Sequence, residues 1–497
     1  MTPEARASLG RSMAAGAGWM ILMRLADRGI GLVSLAILAR LLLPEDFGLV
    51  ALAVSIIALV DMFGQFGADV ALIQNQHAER RHYDSAWTLN LATATAMSLV
   101  LAVVARPAAA FFAEPRVEGI VYWLALANVF GACTNIGVVD FRKRLEFRKE
   151  FSYLFSARAL STIVTLVLAW QWRESWALVA GTFAQVLIRV ALSYSLSPYR
   201  PRLSRAGLPE IFRFSRWMLL QNVLQGLTDR ASTLAIGRLA GAEALAKYNV
   251  AYEIANLATT ELAAPIRRAM LPGFARMAGD LRTLRDAFVR TAGVIVLVGL
   301  PIPIGIALTA PRIVDVVLGP KWLAAIPLLQ VLALHGVLRA FSTSSHVVYL
   351  AVGKPRLTAM LTAVRLCVLV PALVVMTMKA GALGAAWATV VAAALMWILD
   401  LALLYRVLRF DPRALFGVTW RPIVAALVMA LAVRYGETLL PAAGTVATAA
   451  VSLAALVAIG ALAYGLASFA LWRICLRPPG AESAVFGMLR QIRPQRS

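Results

Sequence analysis

The stretch WMILMRLADRGIGLVSLAILARLLLPEDFGLVALAVSIIALVDMFGQF, residues 19–66, decides the fold class. It holds two apolar runs separated only by the short turn LLLPEDFG at 41–48. A bilayer core of about 30 Å takes roughly 20 mostly apolar residues per helix, so each run is long enough to cross. Arg24, Asp27, Arg28 and Asp61 nevertheless interrupt the runs. Charge inside a membrane span is costly and is kept where it faces a partner or a wet cavity. A helix pair with a polar face is the unit from which the rest of the chain reads.

The same texture extends over all 497 residues, with 60% hydrophobic and 15% charged residues and a mean hydropathy of +0.75. Ordinary soluble domains are nearer 45–50% apolar and 25% charged. Apolar runs predict helices at about 16–42, 48–68, 85–105, 117–139, 152–172 and 176–197, then 216–238, 246–266, 288–310, 322–352, 357–379 and 381–405. A final pair follows at about 420–436 and 443–472. The fold expected is an all-α, polytopic membrane protein of about 14 transmembrane helices, divided into an N-lobe at 1–215, a C-lobe at 216–405, and two extra helices with a tail at 406–497.

The net charge of +22 resides in short loops between these runs, so it reads as membrane topology and not as nucleic-acid binding. RKRLEFRK at 142–149, RPRLSR at 200–205, Arg267 with Arg268, and Arg406, Arg409 and Arg413 fall on one side. Roughly 30 Lys/Arg lie there against about nine opposite, which places both termini in the cytoplasm and requires an even number of spans. Cys133, Cys367 and Cys475 show no paired spacing, so neither a disulfide framework nor a metal site is expected.

Shifting the chain by 198 residues lays Trp19-Met20 on Trp217-Met218, Arg40-Leu41 on Arg238-Leu239, Glu45 on Glu243 and Gly48 on Ala246. The shared turn is R-L-x-x-x-E-x-x-[G/A]. The shift carries six spans, so the halves enter the membrane with the same orientation, as parallel repeats about an axis along the membrane normal. Substrate paths in such proteins lie between the repeats.

The polar residues gather on the first two helices of each repeat. Arg24, Asp27, Arg28 and Gly31 share one face, Asp61, Gln65 and Asp69 another, Gln221, Asn222, Gln225, Asp229 and Arg230 a third, and Asn249, Tyr252, Glu253, Asn256 and Glu261 a fourth. Four such faces predict a central hydrated cavity. Arg24, Arg28 and Arg230 are the candidate diphosphate ligands, because a guanidinium matches phosphate oxygens bidentately. The amides and carboxylates suit sugar hydroxyls or coupling. Alternatives stay open: Arg24 or Arg28 paired with Asp27 on its own helix, and the carboxylates as structural partners. Arg158, Arg189, Arg339, Arg365 and Asp400 fall outside these faces and read as interfacial anchors or inter-helix pairs, and His335 as a satisfied packing residue. Pro265, Pro301, Pro303 and Pro371 predict bends.

ARLLLPEDFGLVALA at 39–53, DFRKRLEFRKEF at 140–151, LGPKWLAAIPLLQVLAL at 318–334 and YLAVGKPRL at 349–357 resemble the polysaccharide-transporter branch of the multidrug/oligosaccharidyl-lipid/polysaccharide exporter superfamily, in particular its exopolysaccharide and O-antigen flippases. The resemblance covers nearly the whole chain. It implies two six-helix lobes that alternate between inward-open and outward-open forms in a bacterial inner membrane, moving an undecaprenyl-diphosphate-linked oligosaccharide to the periplasmic leaflet. The expected partners are that lipid-linked oligosaccharide, membrane lipids, and polysaccharide polymerase or export machinery. No nucleic acid, cofactor, metal or catalytic residue is expected. The competing readings are a multidrug/cation antiporter of the same superfamily and a membrane polysaccharide polymerase or glycosyltransferase; no Ser/His/Asp set or phosphate-cradling glycine loop supports the latter.

Overall fold

The structure, a computed structural model, describes residues 3–64, 72, 78–144, 146–204, 226–256, 270, 274, 277, 279–342, 345–440 and 445–475. Among these residues there are helices and turns and no strand. The helices are α1 (Pro3–Leu41), α2 (Pro44–Asp61), α3 (Arg80–Phe112), α4 (Arg116–Ala132), α5 (Val139–Lys143), α6 (Phe147–Trp172) and α7 (Trp176–Leu196). They continue with α8 (226–256), α9 (Leu281–Gly299), α10 (Pro301–Ile313), α11 (Ile326–Ser342), α12 (Ser345–Ala351), α13 (Pro355–Leu408), α14 (Pro412–Leu439) and α15 (Val446–Ile474).

In lipid every backbone polar group must be satisfied within the segment, which is why the apolar runs fold as helices. Eight stretches among the described residues are long and apolar enough to cross a bilayer, and α4 joined to 136–143 through a 67° bend makes a ninth. α13 has 54 residues, about 80 Å of helix, far more than one crossing needs. It is divided at Ala380 and Gly381, whose φ of +57° only a residue without Cβ adopts freely. α8 is divided in the same way at Gly241, φ +84°. Counting those arms separately, with α1 and α2, the described residues supply fourteen helical arms, in line with the expected number. Pro301 separates α9 from α10, as its missing N–H predicts. The run expected at 322–352 opens with a 3₁₀ turn at Pro320–Ala325 and is helical over the described residues that follow, α11 and α12.

The chain forms two compact units, Met1–Ala246 and Lys247–Ser497. In the first, α6 lies on α1 and α7, and α4 on α2, α3 and α7. Its tightest approach is in the repeat motif. A Cβ on Gly48 would overlap the carbonyl of Ala242, so α2 starts directly against the backbone of the second turn motif. Pro44 opens α2 at the position where its lost N–H matters least. Asp46 accepts from Leu43 N–H at 2.9 Å and, with its other oxygen, from Ser175 N–H at 2.9 Å, so one carboxylate ties the starts of α2 and α7 together. In the second unit α14 lies on α9 and α15, and α11 on α10 and α13. Its core gathers Phe288, Tyr349, Leu361 and Phe410.

Candidate functional site

The polar face of α1 meets α6. Asp27 lies 3.5 Å from Arg158 Nε, so the carboxylate pairs with an arginine on another helix. Gly31 sits on the same face, and a Cβ there would come within 3.9 Å of an Arg158 nitrogen. Met23, Asp27 and Ile30 of α1, Leu154 and Arg158 of α6, and Gln185 and Arg189 of α7 surround a cavity of about 200 Å³. A neighbouring cavity of about 230 Å³ is lined by Asn90, Thr134, Asn135, Arg142, Glu150, Tyr153 and, again, Leu154 and Arg189. Arg142 pairs with Glu150 at its rim. Arg189 therefore stands on the wall common to both chambers.

The walls are fixed by satisfied polar groups. Tyr153 donates its hydroxyl to the Arg189 carbonyl at 3.2 Å. Asn135, fully buried, donates to the Tyr199 carbonyl at 2.6 Å, accepts from Gly137 N–H at 2.9 Å and gives its own N–H to Ser193 Oγ at 2.9 Å. Next to it, Tyr199 donates to Asp84 at 2.7 Å, which also accepts from Arg202 N–H at 2.8 Å. Burial, and then the bond to Asp84, push the Tyr199 phenol above its ordinary value.

Of the residues singled out from sequence, Arg24 and Asp27 are exposed and Arg28 is half-buried on α1. Asp61 accepts from Asn128 Nδ2 at 3.0 Å, an amide on α4. Asp229 is exposed and Arg230 half-buried on the first arm of α8. On its second arm Asn249 is half-buried and Glu253 exposed. Tyr252 stacks between Tyr248, at 6.0 Å, and His335, at 6.2 Å. Asn256 is buried and accepts from Arg339 at 3.0 Å. Gln65, Asp69, Gln221, Asn222, Gln225 and Glu261 lie outside the described residues.

Arg158 and Arg189, which sequence set apart as anchors or inter-helix pairs, are with Arg142 the arginines that line the two chambers. Arg158 is an inter-helix pair, and it also lines a cavity. Their signal in the sequence was depth: Arg158 is 11 residues into α6 and Arg189 seven residues before the end of α7, about 16 Å and 10 Å from the same end of the hairpin. His335 packs as expected but is not satisfied, since neither ring nitrogen has a hydrogen-bond partner among the described residues.

The chain is similar to known proteins along most of its length. The lipopolysaccharide biosynthesis protein WzxC of Escherichia coli K12 is 26% identical over 76% of this chain and 77% of its own. The succinoglycan biosynthesis transport protein ExoT of Rhizobium meliloti is 28% identical over 88% of each. Among solved structures, the lipid II flippase MurJ in an inward-closed conformation is similar with a TM-score of 0.72, at 13% identity over 92% of this chain and 100% of that one. An inward-facing multidrug resistance MATE family transporter of the MOP superfamily is similar with a TM-score of 0.56, at 16% identity over 77% and 95%. At such identities the structures show the fold, which is that of polytopic transporters. The model of the polysaccharide biosynthesis protein family matches residues 37–327, more than half of the sequence, and the chain belongs to that family, within the polysaccharide-transporter branch that its motifs resemble.

Proposed function

We propose that this multi-pass membrane protein is a flippase that carries undecaprenyl-diphosphate-linked oligosaccharide from the cytoplasmic to the periplasmic leaflet of a bacterial inner membrane by alternating access. The names of the relatives and the transporter fold support this reading. The observation that carries it is the set of cations placed at membrane depth beside open chambers, Arg158 and Arg189 across from the polar face of α1.

Flipping makes and breaks no covalent bond. Its barrier is desolvation of a doubly charged, hydroxyl-rich head in hydrocarbon, and the remedy is a path whose own charges and amides replace water while the polyprenyl chain stays in lipid. Arg24, Arg28 and Arg230 are proposed as further diphosphate contacts. Asp27, Asp61, Asp229, Glu253 and the amides Asn249 and Asn256, with Tyr252, are proposed for sugar contact or coupling. The proposed frame has lobes at 1–215 and 216–405, two further helices beyond them, and both termini cytoplasmic. Polysaccharide polymerase and export machinery are its proposed protein partners. An arginine lining opposes cationic drugs, which disfavours the antiporter reading.

Deletion of the gene tests the proposal. It predicts accumulation of a lipid-linked oligosaccharide on the cytoplasmic side, relieved by the parent gene and not by a variant with Arg24→Gln and Arg28→Gln together. Unchanged export in that double variant removes those two arginines from the path, and no accumulation in the deletion strain refutes the flippase.

A further inference from the structure

Arg189 is an arginine at membrane depth that, among the described residues, makes no ion pair and has only the Tyr153 hydroxyl beside its guanidinium. A charge in that position is retained where a partner or water compensates it. Two chambers share it as a wall, and each has a second arginine: Arg142 toward the end of the α5–α6 turn, and Arg158 deeper. Arg158 is only loosely held, because 3.5 Å to Asp27 is longer than the 2.7–2.9 Å of a charged hydrogen bond and its buried Nε has no hydrogen-bond partner among the described residues. The turn at 142–149 belongs to the basic, cytoplasmic set of loops. Arg142, Arg189 and Arg158 then form a descending series, at the interface, about 10 Å in and about 16 Å in.

We propose that the two chambers are an entry site for the diphosphate of a polyprenyl-linked substrate, loaded from the cytoplasmic leaflet between Arg142 and Arg189 and passed to Arg158. This rests on the flippase reading and adds to it a loading site within the N-terminal unit. The arriving phosphate supplies Arg189 with charged acceptors, and it competes with Asp27 for Arg158. Glu150, paired with Arg142, keeps the mouth selective: only a ligand with more than one negative charge competes with the carboxylate already there.

The probe is farnesyl diphosphate, binding to the purified full chain in nanodiscs of neutral lipid, with farnesyl monophosphate and dioleoylphosphatidylglycerol as competitors. Arg189→Gln and Arg158→Gln are each expected to weaken farnesyl diphosphate binding at least about tenfold, and Arg189→Lys to recover part of it, since an ammonium keeps charge without the bidentate fork. Asp27→Asn is expected to tighten binding by freeing Arg158. Binding by Arg189→Gln equal to that of the parent overturns the proposal, as does equal displacement by phosphatidylglycerol, which makes the chambers an ordinary lipid site. Should Arg189→Gln fail to fold, the Lys variant and Asp27→Asn still decide, because parent-like binding in both leaves no role for these chambers. Failure of these arms with accumulation still seen in the deletion strain removes the entry site and leaves the flippase; absence of accumulation removes the flippase whatever the binding shows.

Discussion

Gly48 offers the sharpest test of the packing. An alanine there places its methyl carbon inside the volume of the Ala242 carbonyl, a backbone group that no rotamer change can move. Restoring an ordinary contact of about 3.5 Å requires the start of α2 and the second turn motif to part by more than about 1 Å. Overpacking of this kind costs about 1–3 kcal/mol. The loss is added to by the neighbours that share the interface: Gly237, whose missing Cβ admits Leu52 and Phe112, and Leu52 itself, fully buried. The matched control is Gly29→Ala, one helix earlier, where nothing lies within 4 Å and alanine's better helix propensity contributes up to about 1 kcal/mol in the stabilising direction. Thermal unfolding of the detergent-purified variants by intrinsic fluorescence separates the two, with Gly48→Ala falling by several degrees and Gly29→Ala unchanged or raised. Gly48→Ala melting together with the parent refutes the close approach.

His335→Leu removes two ring nitrogens that have no partner among the described residues and keeps a similar volume, so it is expected to stabilise by about 1–3 kcal/mol in the same melting assay; a lower melting temperature shows that the imidazole is bonded in the membrane. Tyr199→Phe takes a hydroxyl from Asp84 and is expected to cost about 1 kcal/mol, read as faster proteolysis of the 197–204 segment. Asp280 caps α9 through Arg282 N–H at 2.9 Å, and the Thr283 hydroxyl with those backbone donors holds its carboxyl below 3.8. The depressed value means that the cap stabilises above 3.8 and is lost as pH falls through the folded pKa, so the protection from hydrogen exchange that Asp280→Ala removes at pH 7 is already absent from the parent well below 3.8.

The spans were legible because a bilayer imposes one length and one polarity on every crossing. Their ends were less so. The run read at 85–105 is part of a helix from Arg80 to Phe112, since helical hydrogen bonding continues past the apolar stretch into the interface. The break between 379 and 381 was readable because Gly381 punctuates it, and the break after α12 because Gly353 and Pro355 do the same. On α1 the 3.6-residue period placed Arg24, Asp27, Arg28 and Gly31 on one face. That Asp27 meets Arg158, 131 positions away, depends on α1 lying against α6, and no local pattern encodes that. Asn135 and its three partners, spread from 135 to 199, were invisible for the same reason.

Two sets of charges, one in each unit, are held differently. In the second unit Asp400 is buried and accepts from the Ser345 hydroxyl and from Tyr349 at 2.8 Å, tying α12 to α13; Arg421 and His335 are buried as well. A carboxylate enclosed by its own donors has no capacity left for a passing ligand. Asp400→Ala takes the carboxylate acceptor from both hydroxyls, is expected to cost about 1–3 kcal/mol, and acts through stability. In the first unit Arg189 and Arg158 border open volume with donors to spare, so their neutralisation acts on binding while the melting temperature stays near that of the parent. If Asp400→Ala melts like the parent while Arg189→Gln collapses the fold, the charges near the chambers are structural and the division drawn between the units is reversed.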